Sequence, residues 1–309
     1  MPLALTLLLI SQLPAQPVTA GPPKLEADNV SAGEGPSWDP AGFLYFTGSG
    51  RISRRDAQGR ITVYRESANG ANGTLIDPQG RLVVCESAAR RVTRTERDGS
   101  ITVLTSDYEG KKYNSPNDLT IDSKGRIYFS DPRYGSRDGM EMIEAVYRID
   151  AQGNVTRVIH GEVNRPNGVL VSPDGKHLYV ADNNNNTAGG ARKLWRFDLK
   201  FDGSVNPSSR KLIFDWRTAR GPDGIKIDSQ GRLFVAGGRN KPHPPYETID
   251  EFKGGIFILS PGGKLLEFVP IPRDEVTNCT FGGADLKTLF VTAGGSLWSV
   301  PLRSPGWRR

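Results

Sequence analysis

One stretch of the chain contains the unit that decides the fold. It reads Asn167-Gly-Val-Leu-Val-Ser-Pro-Asp-Gly-Lys-His-Leu-Tyr-Val-Ala181. Two short apolar runs flank Ser-Pro-Asp-Gly, which is a turn signal because serine opens the turn and glycine accepts a positive φ. The stretch therefore predicts a strand, a tight turn over residues 172–175 and a second, antiparallel strand.

The same unit occurs six times along the chain. The spacings between successive starts are 38, 45, 50, 56 and 55 residues, and each unit except the last continues into a further hairpin. The six units begin at Glu34, Asn72, Asn117, Asn167, Asp223 and Asn278. A period of about 40–50 residues with four strands per unit is typical of β-propellers. We therefore predict an all-β protein, a six-bladed β-propeller with four-stranded blades.

The sixth unit ends before its fourth strand. The segment Lys24–Val30 precedes the first unit and is the natural partner for that open edge, because pairing the two ends of the chain removes exposed strand edges. The N-terminal strand is thus expected to close the circle of blades. Residues 21–309 are then one propeller domain with no linker.

The first twenty residues have the features of a signal peptide. They carry no charged side chain, contain the apolar run Leu3–Ile10 and end in Val18-Thr19-Ala20, which suits signal peptidase. The apolar run is too short to span a bilayer. We expect cleavage after Ala20 and an exported protein, either periplasmic or secreted.

Charge and cysteine content limit the possible partners. The formal net charge is +6, but the basic residues are scattered rather than gathered in one stripe, so neither a nucleic-acid partner nor a membrane partner is expected. Cys85 and Cys279 are the two cysteines. Buried free thiols are favoured over a long-range disulfide. The oligomeric state does not follow from the sequence.

The six residues at the unit starts, which we call the ring, form a candidate metal site. The first strand of every propeller blade lines the central channel, so these carboxylate and amide side chains converge on one axis. Buried oxygens need a cation or water. Calcium takes about six to eight oxygen ligands, whereas zinc prefers histidine and cysteine, so one calcium ion is favoured over magnesium or zinc.

A single Asn-Gly or Asp-Gly would more often be a turn former. Recurrence at one position of the repeat favours the metal site. By contrast, Asp77, Asp122 and Asp228 each open a turn that ends in glycine, and we expect them to be structural.

The second strand of several units ends in an acidic residue, on the same face of the propeller as the ring. Glu86, Asp131 and Asp182 hold these positions, where they would either orient substrate hydroxyls or act as ordinary solvated acids. The chain has three histidines, and none falls in the ring. General-base chemistry is therefore assigned to a carboxylate or to metal-bound water.

The motifs of the chain resemble those of a known family. They are Glu34-Gly-Pro-Ser-Trp38, Ser115-Pro-Asn-Asp118, Phe129-Ser-Asp-Pro-Arg-Tyr-Gly135, Arg165-Pro-Asn-Gly168, Gly221-Pro-Asp-Gly224 and Thr277-Asn-Cys-Thr-Phe-Gly-Gly283. Over residues 30–300 the chain resembles the gluconolactonase and regucalcin-like propellers, also called the senescence marker protein family, and within them the exported bacterial gluconolactonase branch.

The resemblance implies specific roles for ring residues. It implies that Glu34, Asn167 and Asp223 hold a calcium ion and that Asp223 is also the catalytic base. Asn117 matches an asparagine that binds metal or substrate.

The resemblance also concerns the segment after the third blade's second strand. Asp131, Arg133 and Tyr134 match residues that line the substrate pocket. In a related phosphotriesterase branch, an acid three residues after the ring aspartate helps to hold a second calcium. Lys226 stands there in this chain, which predicts a single metal ion.

Three functions remain open at this point. The leading one is calcium-dependent hydrolysis of a sugar lactone such as gluconolactone. The same site would also suit organophosphate or other phosphotriester hydrolysis, and a non-catalytic propeller would use the metal only as a brace. The fold alone does not separate these functions.

Overall fold

A computed structural model describes residues 16–307, and its strands form six four-stranded antiparallel sheets. The described part of the chain contains no helix, and hence none long and apolar enough to cross a membrane. The sheets are the blades of a six-bladed β-propeller, which confirms the predicted fold. Most of the predicted signal peptide, residues 1–15, lies outside the described residues.

The strands follow the repeat units closely. The N-terminal strand is β1 (Lys24–Ala32). Blade 1 contains β2 (Glu34–Asp39), β3 (Phe43–Gly48), β4 (Arg51–Arg55) and β5 (Ile61–Arg65). Blade 2 contains β6 (Ala71–Ile76), β7 (Leu82–Glu86), β8 (Arg91–Thr95) and β9 (Ile101–Thr105). A small hairpin of β10 (Asp107–Tyr108) and β11 (Lys111–Lys112) follows.

The other blades repeat this arrangement. Blade 3 contains β12 (Leu119–Ile121), β13 (Ile127–Asp131), β14 (Ala145–Ile149) and β15 (Val155–His160). Blade 4 contains β16 (Pro166–Val171), β17 (His177–Asn183), β18 (Arg192–Leu199) and β19 (Val205–Asp215). Blade 5 contains β20 (Pro222–Ile227), β21 (Leu233–Gly237), β22 (Gly255–Leu259) and β23 (Leu265–Pro270). Blade 6 contains β24 (Val276–Gly282), β25 (Thr288–Ala293) and β26 (Gly295–Pro301).

The first hairpin of several blades is fixed by an aspartate and an arginine. Asp122 Oδ1 accepts hydrogen bonds from the backbone N–H groups of Lys124 and Arg126 at 2.9 and 3.0 Å, and its Oδ2 accepts one from Arg126 Nε. Asp77 with Arg81 and Asp228 with Arg232 repeat this arrangement. The three aspartates are therefore turn residues, as predicted.

Apolar side chains fill the spaces between successive blades. Between blades 2 and 3, Val83 and Cys85 pack against Phe129 and Tyr147, all of them fully buried. Such face-to-face burial is the main stabilising contribution in a propeller, at about 25 cal/mol per Å² of apolar surface. Cys85 and Cys279 are buried free thiols, which confirms the favoured interpretation.

The two ends of the chain meet in blade 6. Strand β1 pairs antiparallel with β26, with Lys24 opposite Ser299 and Leu25 opposite Trp298. The sheet order β1-β26-β25-β24 makes β1 the fourth, outer strand of this blade. The predicted ring closure is therefore confirmed, and the observed strand extends two residues beyond the predicted Lys24–Val30.

Residues just before the predicted cleavage site also pack on the propeller. Val18 is buried in the apolar cluster of blades 5 and 6, and its N–H donates to Glu267 Oε2 at 2.5 Å. Thr19 Oγ1 donates to the same carboxylate, and Ala20 N donates to Pro301 O at 2.8 Å. Cleavage after Ala20 would remove these contacts. Export itself stays a prediction.

We expect a chain that begins at Gly21 to be less stable than one that begins at Gln16. Loss of the buried Val18 side chain alone costs about 1.5–3 kcal/mol, and each kcal/mol lowers Tm by about 2–4 °C at this size. Thermal unfolding measures the difference. As a control, Glu267→Gln should destabilise the longer chain more than the shorter one. Equal Tm values for the two chains would show that residues 16–20 contribute nothing.

Candidate functional site

The ring residues lie at one end of the propeller channel. We call the face at which each inner strand begins the upper face, and the face that carries the first hairpin turns the lower face. Neighbouring inner strands approach each other closely here. A β-carbon at Gly168 would lie 2.1 Å from Asp223 O, and one at Gly224 would lie 2.1 Å from Asn278 Oδ1. Glycine after the ring residue thus permits the convergence of the ring.

Several oxygens on the axis are buried and lack a hydrogen-bond partner among the described residues. They are Asp223 Oδ1, Asp118 Oδ2 and Asn72 Oδ1. Asp223 and Asp118 are 8% and 2% exposed. Buried polar atoms in folded proteins are nearly always paired, so unpaired oxygens gathered at one place point to a partner outside the chain.

The three acids of the site influence one another electrostatically. Burial, followed by the negative charges of Asp223 and Asp118, raises the pKa of Glu34 well above its usual range. Burial raises the pKa of Asp223 to about 7, against the opposing charge of Arg220. Burial also raises the pKa of Asp118, against the opposing charge of Lys226. Each of these shifts favours the neutral acid, and an added positive charge at the site would favour the ionised form instead.

Tyr134 and Asn167 form the polar wall of the site. Asn167 Nδ2 donates to the Tyr134 hydroxyl at 2.9 Å, and the Asn167 side chain also hydrogen-bonds Asp223. Burial and the charge of Asp223 raise the pKa of Tyr134 well above its usual value. The structure thus brings together Glu34, Asn167, Asp223 and Tyr134 from four segments of the chain.

Arg133 and Asn117 are held mainly by contacts outside the ring. Arg133 donates through Nε to Ser136 O at 2.6 Å and through Nη1 to Asn114 O at 3.1 Å, so its guanidinium fastens the loop that presents Tyr134. Asn117 is 7% exposed, and its backbone N–H donates to Ser130 O at 2.9 Å. A substrate contact for either side chain stays a prediction.

Asp131 is held by backbone hydrogen bonds, and a substrate contact for it stays a prediction. It is fully buried, and its two oxygens accept the backbone N–H groups of Asn114 and Ser115 at 2.8 and 2.7 Å. Asp182 binds the N–H groups of Asn164 and Arg165 in the same way, at 3.0 and 2.8 Å. We therefore assign Asp131 a positioning role, in which it fixes the segment that leads into the ring.

Glu86 is likewise a brace rather than a solvated acid. It is fully buried and accepts hydrogen bonds from Arg65, Asn69, Arg91 and Thr93. The acidic residues that end the second strands of blades 2, 3 and 4 thus all hold neighbouring segments in place through hydrogen bonds.

Two site residues were not identified from the sequence. Asp118 directly follows a ring residue, at a position where four other blades have glycine. The aspartate in place of glycine was the signal that could have identified it. Arg220 lies three residues before Asp223, and its guanidinium forms ion pairs with Glu247 at 3.1 Å and with Glu275. Nothing in the local sequence of Arg220 indicated that its charge would act on the ring.

The residues present fit a hard divalent cation. Glu34, Asn167 and Asp223 supply two carboxylates and one amide oxygen, and the Asn167 amide nitrogen donates to Tyr134, which leaves its carbonyl oxygen for a cation. Within residues 16–307, no three His, Cys, Asp or Glu side chains are close enough to hold a metal by themselves. The amide is therefore an essential part of the predicted set.

Fold and site together define a class: a six-bladed propeller with a buried, net acidic polar site on its axis. The family model for the SMP-30/gluconolactonase/LRE-like region matches residues 32–295. The chain therefore belongs to the SMP-30/gluconolactonase/LRE-like family, as the motifs suggested.

Individual relatives extend this comparison. A gluconolactonase from Zymomonas mobilis is 32% identical over 254 residues, which are 77% of this chain and 64% of that protein, so the chain spans less than two thirds of it. Pentonolactonase XacC from Haloferax volcanii is 26% identical over 269 residues, 85% of this chain and 81% of that protein. The structure of a gluconolactonase from Xanthomonas campestris is 28% identical, with a TM-score of 0.75 over 94% of this chain and 99% of that one.

We expect Asp131→Asn to lower stability and to leave substrate affinity unchanged. The new amide nitrogen would face a backbone N–H donor, and an unsatisfied buried pair costs about 1–3 kcal/mol. Denaturant unfolding and the KM for a lactone substrate provide the two measurements. Asp182→Asn is the matched control, since it disturbs the equivalent brace in blade 4. A raised KM in Asp131→Asn alone, at similar stability, would instead indicate a substrate contact.

Proposed function

We propose that this protein is a calcium-dependent hydrolase that opens a sugar lactone such as gluconolactone. The observation that carries the proposal is the set of unpaired oxygens on the axis next to Asn167 and Tyr134. Named lactonases among the relatives support the substrate class. Consistent with the sequence of residues 1–20, we also propose that the protein acts after export.

We propose that Glu34, Asn167 and Asp223 hold one calcium ion. When bound, the ion would act as a Lewis acid that polarises the lactone carbonyl. One ion is sufficient for the charges present, because Lys226 already supplies a positive charge that acts on Asp118. This supports the prediction of a single metal in place of two.

Asp223 is the proposed general base. Its Oδ1 is buried and without a partner among the described residues, so it is able to accept a proton from the attacking water. The water oxygen then bonds to the lactone carbonyl carbon, the ring C–O bond breaks, and the ring oxygen leaves as a hydroxyl after taking up a proton. The product is a hydroxy acid.

Tyr134 is proposed to orient the substrate. Its hydroxyl oxygen already accepts a hydrogen bond from Asn167, so its own proton remains for donation to a substrate oxygen. Asn117 remains a proposed substrate contact.

A panel of substrates tests the proposed function. We expect the purified protein to hydrolyse aldono-lactones, to lose this activity after exhaustive chelation and to regain it with calcium. Simple esters and phosphotriesters, assayed in parallel, measure the alternative hydrolases. Full lactonase activity after chelation would refute calcium dependence, and preferred phosphotriester turnover would refute the substrate class.

Two substitutions separate metal binding from proton transfer. Asp223→Asn keeps one ligand oxygen but removes the base, so turnover should stay about 10²- to 10⁴-fold low even at saturating calcium. Asn167→Ala removes a ligand and keeps the base, so excess calcium should recover part of its activity. Turnover measured against calcium concentration distinguishes them. Complete rescue of Asp223→Asn by calcium would leave Asp223 as a ligand only.

A further inference from the structure

A cavity lies on the same axis, at the lower face of the propeller. Its volume is about 500 Å³, and its mouth is bordered by first hairpin turns such as the segment 77–80. It is lined by the residues that stand three positions after the ring in each inner strand: Ser37, Leu75, Thr120, Leu170, Lys226 and Phe281. The ring precedes these residues along every inner strand, so the cavity lies on the lower side of the ring.

The cavity wall combines one cation with apolar and hydroxyl surfaces. Leu75, Leu170 and Phe281 form the apolar part. The Ser37 and Thr74 hydroxyls are hydrogen-bonded to each other at 2.6 Å. The polar group left for a ligand is therefore mainly the Lys226 ammonium.

Lys226 forms no ion pair within the described part of the chain. The acidic groups around the cavity are largely engaged elsewhere. Asp77 forms an ion pair with Arg81 at 2.7 Å, and Asp39 accepts the backbone N–H of Ala41 at 2.8 Å in its own turn. Asp118 lies towards the ring, where the charge of Lys226 acts on it.

Aromatic residues border the mouth of the cavity. Trp38 belongs to the inner strand of blade 1 and stacks on Phe290, with ring centroids 5.9 Å apart. Trp307 comes from the C-terminal segment, which is fastened to the lower face through Trp307 N donating to Ile227 O at 3.2 Å and Gly306 N donating to Leu286 O at 2.9 Å. The chain thus supplies two indole rings where an apolar ligand would enter.

We propose that this lower cavity binds a small organic carboxylate that has an apolar body. The carboxylate would pair with the Lys226 ammonium, and the apolar body would contact Leu75, Leu170 and Phe281. The volume lies within the roughly 300–1,000 Å³ of typical ligand pockets, and a mostly apolar wall with one convergent charged group is typical of such pockets. The proposal does not depend on the lactonase function, because the ligand would lie below the ring, and Lys226 acts on the upper site only through its charge on Asp118.

Binding of 4-phenylbutyrate tests the proposal, with 4-phenylbutanamide as the uncharged counterpart. A titration followed by tryptophan fluorescence reports on Trp38 and Trp307. We expect a dissociation constant of about 1 mM or tighter for the acid and about tenfold weaker binding for the amide. Running the titration on both chelated and calcium-saturated protein should give the same result, which excludes binding of the carboxylate to a cation at the upper site.

Substitutions of Lys226 provide the decisive comparison. Lys226→Met and Lys226→Gln should each weaken binding of the acid about tenfold and leave binding of the amide unchanged, whereas Lys226→Arg should retain the preference for the acid. Thermal unfolding shows which variants are folded, and two neutral variants keep the test available if one does not fold. Equal affinity for acid and amide, or unaltered binding of the acid in a folded neutral variant, would overturn the proposal.

Discussion

The constraint on which this structure depends is the burial of several acids around one axis. In addition to burial, the charges of Asp223 and Asp118 raise the pKa of Glu34, and the charge of Asp118 raises the pKa of Asp223. Asp118 and Asp223 are buried, and Glu34 is half-buried. Buried charge without compensation is costly. Arg220 and Lys226 offset part of it, and a bound divalent cation would offset the rest. The need for positive charge therefore links the fold to the proposed chemistry.

The rest of the architecture keeps these acids in place. Glycine after the ring residue in four blades lets neighbouring inner strands come within reach of one another, as at Gly168 and Gly224. Further out, Asp131 and Asp182 hold the segments that enter the ring, through paired backbone hydrogen bonds. These acidic strand ends thus help to position the site.

The fold and the ring could be predicted because the repeated sequence unit determines both. One unit contains the strand, the turn and the ring residue, and the missing strand of the last unit pointed directly to the N-terminal strand. Asp118 was not identified, although the loss of the glycine that follows the ring residue in four other blades was a signal for it. The hydrogen-bond partners of Asp131 could not be predicted either. The backbone amides of Asn114 and Ser115 belong to a connection between blades, and the repeat spacing does not determine its path.

The central claim is that the buried oxygens at the upper end of the channel hold one calcium ion. A crystal structure of the calcium-saturated protein with anomalous scattering data tests it most directly. We expect one anomalous peak on the propeller axis, with oxygens of Glu34, Asn167 and Asp223 at about 2.3–2.6 Å. An ordered channel with no peak at saturating calcium, or a peak bound by other residues, would contradict it.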